Sequence, residues 1–145
     1  MAFSGDFLCN TFKAEVLQGL HNFTTTTGNS FKLALYDNTP SFDAGTTAYT
    51  STNELASAGN YTTTGNELTN ITPVLDTSTG IVDFADEVWS TATFTAYGGM
   101  IYNDTAAGDP AVCILDFGAA KTATAGDFTV QFPAATAAAA IIRIA

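Results

Sequence analysis

ATFTAYGGMIYNDTAAGDPAVCILDFGAAKTATAGDFTVQFPAATAAAAIIRI, residues 92–144, is the stretch on which the reading of the fold turns. Phe94, Ala96, Gly98, Met100 and Tyr102 fall on one side of a two-residue alternation, with Thr93, Thr95, Tyr97, Gly99 and Ile101 on the other, the period of a pleated strand. The turn formers of residues 103–110, NDTAAGDP, close that strand, and Pro110 cannot sit in a central ladder. Residues 111–117, AVCILDF, follow as a strand so continuously apolar that both faces are expected to be covered. Residues 118–126 read as a spacer, after which Phe128, Val130 and Phe132 alternate with Asp127, Thr129 and Gln131. A last strand is expected over residues 140–144, with Ile142 and Ile144 facing opposite to Ile141 and Arg143.

Upstream, FKLALY (residues 31–36) is a strand whose Phe31, Leu33 and Leu35 point one way. Residues 67–74 predict another strand, and residues 77–80 a turn into a hairpin partner, IVDF, at 81–84. Between them, residues 37–65 form a polar passage with little periodicity beyond a possible helical turn at 52–58 and a strand fragment at 61–64. A loop of that length in a compact domain is usually functional, mobile or partly misread, and if the chain has a variable contact surface this is the first place to expect it. Near the start, Phe12, Val16 and Leu20 recur every four residues with Leu17 beside them, which predicts a short helix over residues 10–22. Asn10 or Thr11 can cap it, while Gly19 weakens its end by roughly 1 kcal/mol. The helix either covers an open end of its own sheet or docks on a neighbouring subunit together with the arm MAFSGDFL, residues 1–8. About seven or eight strands with closely spaced turns predict an all-β, antiparallel β-sandwich or jelly-roll-like domain, residues 1–145 forming one unit.

Composition narrows the partners. Apolar residues are 46 % and charged residues 12 % of the chain, too apolar for a disordered polyelectrolyte. Fourteen acidic against four basic side chains leave a net charge of −10, and Lys13, Lys32, Lys121 and Arg143 are scattered. Phosphate backbones are bound through several Lys or Arg contacts, so direct nucleic-acid binding is not expected. No apolar run approaches the roughly 18 residues of a membrane span, and no basic, then apolar, secretory leader is visible; synthesis in a cytoplasm is expected. Cys9 and Cys113 do not make a disulfide framework, and Cys113, between Val112 and Ile114, reads as a small buried hydrophobe. The Asn-x-Ser/Thr triplets at Asn22, Asn60, Asn70 and Asn103 follow from the abundance of Thr.

Candidate chemistry is sparse. His21 is the one histidine, which leaves a zinc site or a Ser-His-Asp triad short of its usual members; it reads as a helix C-terminal residue favoured by the macrodipole. Asp83, Asp86 and Glu87 are the densest carboxylate group, compatible with glycosidase chemistry or calcium but best read as a solvated turn. Asn103, Asp104 and Asp109 read the same way. Trp89 with Phe94 and Tyr97 is either a sugar-stacking platform or core packing, the latter preferred. No catalytic residue, metal or cofactor is expected.

Five blocks carry a family resemblance: FKAEVLQGLHNF (residues 12–23), FKLALY, WSTATFTAYGGMIYN (89–103), AVCILDFG (111–118) and FTVQFPAATAAAAIIRIA (128–145). In this order they resemble a family of small virion structural proteins of tailed bacteriophages, with residues 38–66 least constrained. The resemblance implies a non-enzymatic particle component, most directly a capsid decoration or cement protein on the exterior of the virion. Its partners would be the major capsid protein and neighbouring copies of itself. The acidic charge suits an outside position, away from packaged DNA. For that role the expected partner-docking residues are Phe3, Phe7, Leu8 and Phe12. The alternatives are a tail, baseplate or fibre-associated module contacting a receptor through residues 37–65, and a carbohydrate-binding or carbohydrate-active domain using the acidic clusters and aromatics.

Overall fold

A computed structural model describes residues 3–145. Among the described residues two antiparallel sheets hold somewhat less than half of the chain. The larger has five strands in the order β1 (Phe7–Leu8), β7 (Ala111–Val130), β6 (Glu87–Asn103), β2 (Phe31–Tyr36) and β3 (Asn66–Glu67). The smaller orders β4 (Asn70–Asp76), β5 (Thr79–Phe84) and β8 (Ile142–Ile144). Among the described residues there is one helix, α1 (Asn10–Leu17), which follows β1. The arrangement is an all-β, sandwich-like fold, as the alternation predicts. Its buried side chains form a cluster drawing on both sheets, with Phe31 of the large sheet 5.8 Å between ring centroids from Phe84 of the small one.

The backbone of the molecule is the β6–β7 ribbon, paired from Glu87↔Val130 to Tyr102↔Ala111. The composition of GAAKTATAG, residues 118–126, predicts a spacer that would divide β7. In the structure these residues stay in the strand, because the outer half of β6 supplies partners: Thr93 faces Thr124, Thr95 faces Thr122 and Ala96 faces Lys121. The small, polar composition reflects exposure rather than a break. Register shifts on both sides of this segment, with positive φ at Gly118 (73°) and Ala125 (49°), mark bulges that bend the ribbon and disrupt the outer edge of β7.

Other expectations are corrected as well. The strand expected over residues 67–74 is split between sheets. Glu67 pairs with Lys32 in the large sheet, Leu68 is buried with its N–H on the Phe31 carbonyl, and Asn70 opens β4 in the small sheet. The helix expected to residue 22 stops at Leu17, since Gly19 at φ 77° turns the chain out of helical geometry. In residues 37–65 neither the helical turn at 52–58 nor the strand at 61–64 forms. Glu54 instead organises the passage: its carboxylate accepts hydrogen bonds from Tyr49 Oη, Tyr61 Oη and the Thr64 N–H, each at 2.6 Å. Tyr61 Oη in turn accepts the Leu35 N–H at 2.9 Å, which ties the passage to β2.

Candidate docking surface

The helix is fixed from below. Phe12 is buried, and its ring lies 4.9 Å from His21 and 6.1 Å from Phe23, which stacks on Phe31 at 4.4 Å. His21, expected as a terminal helix residue, lies beyond the helix and is buried. Asn103 explains its role. The Asn103 Oδ1 accepts the N–H groups of Thr105 and Ala106, so its Nδ2 is the donor toward His21 Nδ1 at 3.1 Å. Nε2 of His21 therefore carries the proton and donates to Glu15 Oε2 at 2.9 Å. This chain of bonds locks the end of α1 to the turn between β6 and β7.

Above that lock, a groove of about 450 Å³ runs between the helix and the small sheet, with Phe12, Val16, Pro73, Ile142 and Ile144 among its walls. No Asp, Glu, Lys or Arg is among its described lining residues. The flanking elements carry apolar side chains that the fold leaves in water: Leu17 is 85 % exposed, Leu75 72 % and Ile144 58 %. Leu75 and Ile144 sit on either side of Gly80 in the ladder, one row across the small sheet. Pro73 lacks a backbone N–H, and the register shift between Ile71 and Val74 breaks the β4 edge, so this end of the molecule offers a face more readily than an edge.

The four expected docking residues divide. Phe3 and Phe12 are 2 % and 1 % exposed, so they present no surface in this state. Phe7 and Leu8 are half-buried; Phe7 pairs with Ile114 and Leu8 with Cys113, and both line a second groove of about 390 Å³ with Phe117, Val130 and Phe132. The groove beside α1 escaped sequence reading because its walls come from distant segments. The available signal was Pro73 among exposed apolar neighbours in NITPVLD.

The remaining candidates are structural in their geometry. Asp86 accepts the Phe132 N–H at 2.8 Å and Glu87 the Asn66 side-chain N–H at 2.7 Å, so these two carboxylates staple separate segments together, while Asp83 keeps one buried oxygen without a hydrogen-bond partner. Asp104 pairs with Lys32 at 3.1 Å. Trp89 is 2 % exposed and packs against Phe94 and Phe128. Both cysteines are buried free thiols; burial pushes Cys9 up to about 11 and Cys113 higher still, which leaves neither poised as a nucleophile. Among the described residues, no three His, Cys, Asp or Glu side chains gather to hold a metal, and no helix is long and apolar enough to cross a membrane. No family model, curated protein or solved structure matches the chain.

Proposed function

We propose that this chain is a structural protein of a tailed-phage virion, a decoration or cement protein that binds the outer capsid surface and stabilises the head. The observation that carries the reading is the uncharged apolar groove, flanked by Leu17, Leu75 and Ile144, on a chain of net charge −10. A protein this acidic has ample means to keep its surface polar, yet it leaves large aliphatic side chains in water at one end. Burying such side chains against a shell subunit offers roughly 1.5–3 kcal/mol each before ordering costs. The role is mechanical: the chain bridges subunits and adds buried area where internal pressure would part them. The order of the five sequence blocks supplies the phage context, and the acidic surface favours the outside of a DNA-filled shell.

A cryo-EM map of intact particles tests this reading. The expected result is density for this fold on the capsid exterior in hundreds of copies, with the α1 face toward the shell. A few copies at the tail would replace the reading with the tail or fibre alternative, and absence from the particle would end it.

A further inference from the structure

The second groove, of about 390 Å³ beside Phe7 and Leu8, joins apolar walls to fixed negative charge. Its walls come from the β1–β7 edge and from residues 130–133 and 139–141. Phe7, Leu8, Leu115, Phe117 and Ile141 line it and are only half-buried, so part of each meets water. Asp6 and Asp116 are the only charged side chains among its described lining residues. Both are held in place. Asp6, next to the ladder pair Phe7↔Ile114, accepts the Asp116 N–H on Oδ1 at 2.7 Å, and Asp116 Oδ1 accepts the Gly118 N–H at 2.8 Å. Each carboxylate thus spends one oxygen on a backbone group and keeps the other for water or a ligand. Like charges this close repel, and among the described residues neither has a Lys, Arg or His within ion-pair distance. The same two bonds occupy the N–H groups beyond β1, so recognition here falls to side chains rather than to an added strand.

We propose that this groove binds a segment of another protein that carries an arginine between apolar residues, the guanidinium meeting Asp6 and Asp116 while its neighbours cover Phe7, Leu8 and Phe117. Charge selects the cation. A guanidinium offers paired donors in one plane that match a carboxylate, and its face stacks on an aromatic ring, which an ammonium does less well. Shape selects the flanks: a lone cation would satisfy the carboxylates and leave the apolar walls wet, whereas aliphatic or aromatic neighbours cover them. Nucleic acid and anionic lipid are opposed by the same carboxylates. A second copy of this chain has no such segment to offer. Lys32 is paired with Asp104, Arg143 is bonded to the carbonyls of Ala137 and Ala138, Lys13 is bonded to Asn10, and Lys121 sits between Ala120 and Thr122. The inference stands apart from the capsid reading, which rests on the groove beside α1.

Asparagine at both positions separates binding from folding, because its amide oxygen still accepts the Asp116 and Gly118 N–H groups while the charge is gone. The isotopically labelled full-length chain is titrated with the blocked peptide Gly-Leu-Val-Arg-Phe-Leu-Gly and its backbone amides are followed by NMR. Saturable shifts below about 1 mM peptide are expected at residues 6–8 and 115–117. Asp6→Asn with Asp116→Asn should weaken binding about tenfold and leave the denaturant midpoint close to that of the native chain. Replacing the peptide's arginine by glutamine should cost the native chain a similar factor and the double variant nothing. Absence of saturation, shifts confined to the groove beside α1, or equal binding of the arginine and glutamine peptides to the native chain overturns the proposal. So does equal binding of a peptide with serine flanks, which would leave a bare cation site. Matching shifts on concentrating the chain without peptide would make a second copy the occupant and overturn it as well.

Discussion

Strands β2 and β4 are short and apolar in sequence, FKLALY and NITPVLD, yet the fold uses them in opposite ways. In β2 five of six residues are buried; in β4 none of the seven is. The difference is position. β2 runs between β6 and β3, and aromatic residues of the 20–30 segment and the small sheet close over it. β4 lies at the edge of a three-stranded sheet, with Pro73 and a register shift interrupting its ladder. Apolar composition therefore measures how much greasy surface a segment brings, and topology decides whether the chain itself covers it. The surface left over at β4, β8 and α1 forms the candidate docking face.

The comparison breaks most visibly at Phe31. Its ring is fully buried against Phe23 and Phe84, so Phe31→Ala removes a large apolar volume that its neighbours refill only in part. The expected loss is about 3–5 kcal/mol, read as a lower denaturant midpoint with unchanged slope. A loss below about 1 kcal/mol, the mean for an arbitrary substitution, would mean that β2 is not the centre of the core.

Alkaline pH tests the same centre through its phenols. Burial first, then Glu54, hold Tyr36 and Tyr61 well above the ordinary value of 10.0. Their unfolded forms ionise from pH 10.0 upward while the folded forms keep their protons. Stability is thus fully present below that point and falls as pH rises beyond it, each phenol contributing up to about 1.4 kcal/mol per pH unit. The Cys9 thiol, raised by burial from 9.0 to about 11, begins the same decline from pH 9.0. Denaturant midpoints measured from pH 8 to 11 should drop steeply at the upper end, and Tyr61→Phe should flatten that drop. A midpoint flat through pH 11 would contradict the burial of these side chains.

Sequence alone reaches the centre better than the periphery. FKLALY reads as a strand with the bounds it has in the structure, because every residue of β2 except Lys32 is apolar or aromatic and the pattern is unambiguous. AVCILDF is a strand as predicted, with Ala111, Val112, Cys113 and Ile114 all buried. GAAKTATAG fails because an exposed ribbon held by backbone pairing has no need of apolar alternation. The place of His21 is not legible in sequence because its partners Glu15 and Asn103 come together only in the fold. The residues expected to dock show the same limit: Phe3 and Phe12 carry the same apolar signal as Phe7, and what separates them is Gly98 close beneath the Phe3 ring and His21 beside the Phe12 ring.

The smallest stability effect belongs to the exposed end, and there a near-zero result is informative. Leu17 and Leu75 are 85 % and 72 % exposed, so Leu17→Ser with Leu75→Ser removes almost nothing from the core. The midpoint of the isolated chain should shift by no more than about 0.5 kcal/mol per site. Serine is a poorer helix former than leucine, which lowers stability slightly at position 17, whereas position 75 lies on an interrupted edge and gains solubility. If these side chains exist to meet a partner, binding to capsids lacking the native protein should fall by at least tenfold, since about 1.4 kcal/mol of lost burial suffices for that factor. A variant that is markedly less stable would show Leu17 and Leu75 to be core residues after all. One that is stable and binds undiminished would move the docking surface elsewhere, to the groove beside Phe7 and Leu8.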